Sequence, residues 1–173
     1  MRRHQPLPRL WLMTDERQGD GLWDALDRLP AGAGIVFRHY SLPVKDRRRL
    51  FELVRAIARR RRLVLLLAGS PRLAAAWGAD GSHGRYPEAT SRPVHRRSEI
   101  RAAGRAGAQL IFVSPAFPTR SHPGKRSLGP VRFALMVRNA LTPVIALGGM
   151  DALRWRRVAR SAHGWAAIDA WSR

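Results

Sequence analysis

Two loops in the C-terminal half of the chain carry residues suited to holding an anion. The apolar run IFVS leads into PAFPTRSHPGKRSLG, a loop rich in small, hydroxyl and glycine residues. The run PVIAL leads into GGMD. Gly148 and Gly149 precede a helix, so their backbone N–H groups are candidates to face an anion. Apolar strands that open into such loops are how parallel α/β folds build ligand sites, and in a closed barrel those loops converge on one face. His39, His83, His95 and His122 lie at or near the ends of apolar runs. Converging imidazoles suit metal binding or acid–base work, although no HxH or HxxxH spacing supports zinc. His122 with Arg120 and Lys125 reads alternatively as a cationic phosphate pocket. A hard cation wants oxygen ligands, and Asp15, Glu88 and Asp169 are the carboxylates near strand ends.

These residues need elements to position them. Short apolar runs predict strands at Leu10 to Thr14, Gly34 to Tyr40, Leu63 to Leu67, Gln109 to Ser114, Pro143 to Leu147 and Gly164 to Ala170. Gly78 to His83 and Pro93 to His95 are weaker strands. Helical spacing lies between them, at Gly21 to Leu29, Lys45 to Arg62, Ser98 to Ala106 and Pro130 to Asn139. Ser70 before Pro71, and Asp151, are N-cap residues for two further helices. Strands alternating with helices imply a parallel sheet covered by helices. Eight such strands predict a short (β/α)8 TIM barrel, with an open doubly wound sheet as the alternative. No linker, repeat or composition break interrupts the chain, so residues 1–173 are expected to form one domain.

Composition excludes several classes. The 173 residues include no Cys, which removes disulfides, thiolate metal sites and a cysteine nucleophile. No apolar run reaches the length of a membrane span. The start, MRRHQPLPRLWLMTD, lacks the long apolar region and cleavage site of a signal peptide, so a cytoplasmic protein is expected. The net charge of +20 raises a nucleic-acid partner. Its basic residues are nearly all Arg, with Lys45 and Lys125 as the lysines, and Arg, Ala, Gly and Pro are abundant together, as in a GC-rich genome. The most basic helix, Lys45 to Arg62, has no interleaved stacking aromatics and reads more simply as a solvated outer face.

The order strand–SPAFPTRSHPG–helix–PVIALGGMD resembles the thiamine-phosphate synthase and thiazole-tautomerase family. LWLMTD, GIVFRH, WGADGSHGR, VHRRSEIRAAGRAGAQLIFVSP and GWAAIDAW are similar, in order, to other segments of that family. The resemblance implies a (β/α)8 barrel whose site lies at the strand C-termini. It implies a synthase that couples an aminopyrimidine diphosphate to a thiazole phosphate, with Mg²⁺ assisting departure of pyrophosphate. By the same resemblance Arg38 contacts the diphosphate, Thr119 and Ser121 contact phosphate, and Gly148 and Gly149 hold the thiazole phosphate.

Other positions depart from the pattern. The family's Lys and Gln of strand two correspond to Tyr40 and Val36. Its Asn-Asp pair, which supplies an Mg²⁺ ligand, corresponds to Ala68 and Gly69. The second metal-site Asp has no counterpart in GRYPEA, the loop Lys corresponds to His122, and the last-strand Ser to Asp169. The tautomerase His corresponds to Pro115. The leading expectation is therefore a thiamine-phosphate synthase-like transferase of thiamine biosynthesis. The alternatives are a phosphate-ligand-binding barrel that has lost catalysis and a basic nucleic-acid-binding protein.

Overall fold

A computed structural model describes residues 6–119, 124 and 126–171. Eight strands run in chain order: β1 Leu10–Met13, β2 Gly34–Phe37, β3 Val64–Ala68, β4 Gly81–His83, β5 Ser91–Val94, β6 Leu110–Val113, β7 Val144–Leu147 and β8 Gly164–Ala167. Each pairs in parallel with the next, and β8 returns to β1 to close a barrel. Closure corrects the open doubly wound alternative, because no strand is left with a free edge. The helices are α1 Gly21–Arg28, α2 Val44–Arg60, α3 Pro71–Trp77, α4 Arg97–Arg105, α5 Gly129–Val137 and α6 Ala152–Val158. The Ser70 hydroxyl accepts the Leu73 N–H, and Asp151 accepts the Arg154 N–H, so both predicted caps form.

Alternation along the strands sorts side chains into two layers. Trp11, Met13, Val36, Val64, Leu66, Leu110, Phe112, Ile145 and Ala166 fill the barrel interior. Their neighbours on the same strands, such as Leu12, Ile35, Phe37, Leu65 and Leu67, pack outward against Leu22, Leu26, Phe51 and Val54 of α1 and α2. The Trp11 ring needs the missing side chain of Gly34, since a Cβ there would lie 2.2 Å from it. Its Nε1–H donates to the Pro8 carbonyl at 2.8 Å, which satisfies a fully buried indole.

Helix α2 turns Lys45, Arg48, Arg49, Arg59 and Arg60 to solvent, as expected of an outer face, while three other arginines of the stretch make contacts within the chain. Arg47 donates from Nε to the Arg38 carbonyl at 2.9 Å and from Nη2 to the Ala68 carbonyl at 2.7 Å. It lies over Phe37, Tyr40 and Trp77 at 5.8, 5.5 and 5.5 Å from their centroids. Arg61, just past the helix, donates to the Leu26 and Leu29 carbonyls at the end of α1. Arg55 pairs with Glu52. Three arginines of the basic stretch thus hold this chain to itself.

The β4–β5 seam is the thinnest part of the barrel. One residue pair, His83 with Ser91, links the two strands, and Pro93 removes a backbone donor from β5. Side chains reinforce it. Thr90 Oγ1 accepts the Ser82 N–H at 3.1 Å. Ser91 Oγ donates to the Ser82 carbonyl, so His83 Nδ1–H donates to Ser91 Oγ at 2.9 Å. Burial drives the His83 pKa down to about 3, with the Arg38 charge pushing the same way. Replacing Ser91 by Ala leaves a buried His83 donor unsatisfied and is expected to cost about 1–3 kcal/mol of unfolding free energy by denaturant titration. His83 also sets a pH dependence. The unfolded chain takes up a proton near 6.5 that the folded chain refuses until about 3. Stability from this group is full above that unfolded value and falls, by roughly 1 kcal/mol per pH unit, as the pH drops through the window. Urea melts between pH 7 and pH 4 should show this slope, and His83→Gln should remove it.

Candidate functional site at the barrel mouth

The inward positions of β1 and β2 continue past their last residues to Asp15 and Arg38. Arg38 is pinned at three points: its N–H donates to Thr14 Oγ1 at 2.9 Å, its Nε to the Thr14 carbonyl at 2.7 Å, and its Nη2 to Asp15. Asp15 also takes Nε of Arg17 at 2.6 Å. Burial would raise the Asp15 carboxyl. Hydrogen bonds from Arg17 and the charges of Arg38 and Arg17 outweigh it and hold the pKa below the ordinary carboxylate value. Arg38 acts electrostatically on His83, and Asp169, at the end of β8, on Arg17.

The turn after β1 is built for this. Asp15 caps a short 3-10 helix, Glu16–Gln18, and Gln18 returns a hydrogen bond to the Asp15 N–H. Gln18 Nε2 donates to the Ile168 carbonyl at 3.0 Å, which ties β1 to β8. Glu16 accepts from the N–H and hydroxyl of Ser41, which ties β1 to β2. Sequence reading missed Thr14, Arg17, Gln18 and Arg47 as organisers of the mouth. The signal for part of it is present in D-x-x-Q, a capping-box spacing.

The histidines separate. His83 lies inside the barrel, edge-on to Phe112 at 5.1 Å. His95 stands at the rim, with Nδ1–H donating to the Ser114 carbonyl at 3.0 Å. His39 has a left-handed backbone (φ 41°), and its ring stacks on Phe37 at 4.8 Å, in the layer between sheet and helices. Its Nδ1 lies 3.0 Å from Thr14 Oγ1, and burial lowers its pKa. His39, His83 and His95 thus each have a different partner, Thr14, Ser91 and Ser114. His122 and Ser121 lie outside the described residues. Among the described residues no group of three or more His, Asp or Glu is placed to hold a metal ion.

The two anion-type loops pack as one unit. The Ala116 N–H donates to the Leu147 carbonyl at 2.8 Å and the Phe117 N–H to the Gly148 carbonyl at 3.0 Å. Gly148 and Gly149 both have positive φ, 91° and 60°. A Cβ on Gly149 would lie 2.2 Å from the Pro118 carbonyl oxygen, so the glycine is required for the loops to touch. Thr119 follows immediately, half-buried and engaged. Asp151 occupies the start of α6, and Arg154 donates to the Gly149 carbonyl at 2.6 Å.

The family model for thiamine monophosphate synthase matches residues 91–171, which include both of these loops. A putative thiamine-phosphate synthase 2 of Aquifex aeolicus is 28% identical over 170 residues, covering 88% of this chain and 89% of that protein. The fold is similar to that of a thiamine phosphate pyrophosphorylase from Pyrococcus furiosus, with a TM-score of 0.78 at 23% identity over 95% of this chain and 86% of that one. It is also similar, at a TM-score of 0.59 and 9% identity over 95% of this chain and 75% of that one, to the YdjI aldolase of Escherichia coli, a likeness of fold alone. With the order of its loops, its closed barrel and these matches together, the chain is similar to the thiamine-phosphate synthase family, whose model matches its C-terminal part.

Proposed function

We propose that this chain is a cytoplasmic, one-domain barrel that binds a phosphorylated small molecule at its C-terminal mouth, and that the ligand is a thiazole phosphate. The observation that carries the reading is the locked pair of loops. Gly148 and Gly149 bring the β7 loop against the Ala116–Pro118 backbone, and Thr119 follows that contact in the chain. Backbone groups of glycines and nearby hydroxyls are the donors that a phosphate needs. A family model that spans these loops supports the assignment.

A second reading is the full transfer reaction, coupling an aminopyrimidine diphosphate to the thiazole phosphate with release of pyrophosphate. The length over which the chain follows a putative thiamine-phosphate synthase favours it. So does an arginine, Arg38, just past the end of β2, whose charge acts on His83. The basic helix α2 gives less support to a nucleic-acid partner, since Arg47, Arg55 and Arg61 are already committed within the chain.

Calorimetry with the thiazole phosphate tests the first reading, and pyrophosphate release from both substrates with Mg²⁺ tests the second. Binding without release supports the binding barrel, binding with release the synthase, and no binding removes both. Gly149→Ala is expected to abolish thiazole-phosphate binding and to lower the melting temperature, because the new Cβ meets a carbonyl. Gly32→Ala has a similar positive φ of 78° with nothing within 4 Å, so it isolates the conformational cost, about 1–2 kcal/mol, and should leave binding intact.

A further inference from the structure

The family resemblance implies Mg²⁺, and the carboxylates of this chain do not fit one. The twelve acidic residues all lie within the described segments, so they can be inspected without omission. At the mouth, Asp15 is held by Arg17 and Arg38. Glu16 accepts from Ser41. Glu99 accepts the backbone N–H groups of His95 and Arg96 and pairs with Arg85, with its pKa drawn down to about 2: burial opposes this, and the Arg85 and backbone hydrogen bonds outweigh it. Asp151 caps α6. Asp169 lies within electrostatic reach of Arg17 and is itself engaged. Glu88 stands exposed on the β4–β5 connection, and the strand-three end offers Ala68 and Gly69. A divalent cation needs several oxygen ligands free to converge, and here Asp15, Glu16, Glu99 and Asp151 already serve a guanidinium, a hydroxyl or a backbone N–H.

What the mouth has instead is a guanidinium. Arg38 projects from an inward position, two residues past the interior Val36, and its charge reaches His83 at the heart of the barrel. Its side chain is 24% exposed, so solvent reaches it. Its geometry is fixed by the Thr14 carbonyl, while one edge of the fork is engaged by Asp15. A planar fork pre-set in this way binds phosphate oxygens in pairs, and the competing Asp15 carboxylate restrains it.

We propose that the mouth is a metal-independent anion site, in which Arg38 supplies the positive charge for a phosphate or diphosphate group and Asp15 is the carboxylate the anion must displace. This rests on reading the mouth as a phosphate site. It predicts opposite signs for two neighbouring substitutions. Removing the Arg38 fork weakens anion binding. Neutralising Asp15 without changing its shape strengthens it, the reverse of what a metal ligand does.

The test uses the full chain with two probes, Mn²⁺ followed by electron paramagnetic resonance and inorganic pyrophosphate followed by calorimetry in EDTA. The expected result is no stoichiometric Mn²⁺ binding and pyrophosphate binding that EDTA leaves unchanged. Arg38→Gln should weaken that binding by about tenfold or more and Asp15→Asn should tighten it several-fold. Arg38→Lys, which keeps the charge and loses the fork, should fall between, and circular dichroism melts check that each variant is folded. One Mn²⁺ per chain that is lost in Asp15→Asn overturns the proposal, as does pyrophosphate binding that appears only with Mn²⁺. Absence of pyrophosphate binding in both the parent chain and Asp15→Asn overturns it too. If thiazole phosphate still binds in that case, the functional reading survives; if neither anion binds, both fall.

Discussion

A closed parallel barrel permits no free edge, and that single constraint organises this molecule. Every strand must pair on both sides, including the three residues of β4 and the proline-bearing β5, which meet through one backbone pair. Side chains make up the deficit there, and the same side chains reach the interior beneath the mouth. His83 holds Ser91 across the seam with one ring nitrogen while its ring lies against Phe112. The residue that closes the barrel thus also lies in its interior, where the charge of Arg38 acts on it.

Arginine does a second kind of structural work. The C-terminal ends of parallel strands present carbonyls that leave the ladder, and these need donors. Arg47 bridges the carbonyls that follow β2 and end β3, Arg38 takes the one that follows β1, and Arg61 caps the end of α1. A guanidinium can satisfy two acceptors with one group, which an ammonium on a flexible stem does less well. Part of the basic character around α2 is therefore internal wiring, and the aromatic partners of Arg47, namely Phe37, Tyr40 and Trp77, are provided by the chain itself.

The fold was largely legible in the sequence because buried parallel strands read as continuous apolar runs. LVLLL and the run before Ser114 announce β3 and β6 directly, and Ser70-Pro71 and Asp151 mark the starts of the helices that follow β3 and β7. The β4–β5 region was faint because its pairing depends on Ser82, Thr90 and Ser91 hydroxyls, which carry no periodic apolar signal, and no helix lies between the two strands. At the site, the glycine pair was readable, since only glycine permits the approach to Pro118. The placement of His39 was not: its backbone takes a positive φ and its ring stacks on Phe37. Nor was the commitment of Asp15 to two arginines, which depends on side-chain placement between β1 and β2.

The account centres on an anion site whose charge is met by the protein's own guanidinium. The most direct measurement is a crystal structure of the full chain with pyrophosphate in the presence of EDTA. The account predicts the anion at the strand C-termini on Arg38, with the Asp15 carboxylate turned away from the fork it holds in the free protein. An empty mouth with the Asp15–Arg38 pair intact, or an anion joined to Asp15 through a retained divalent cation, would contradict it.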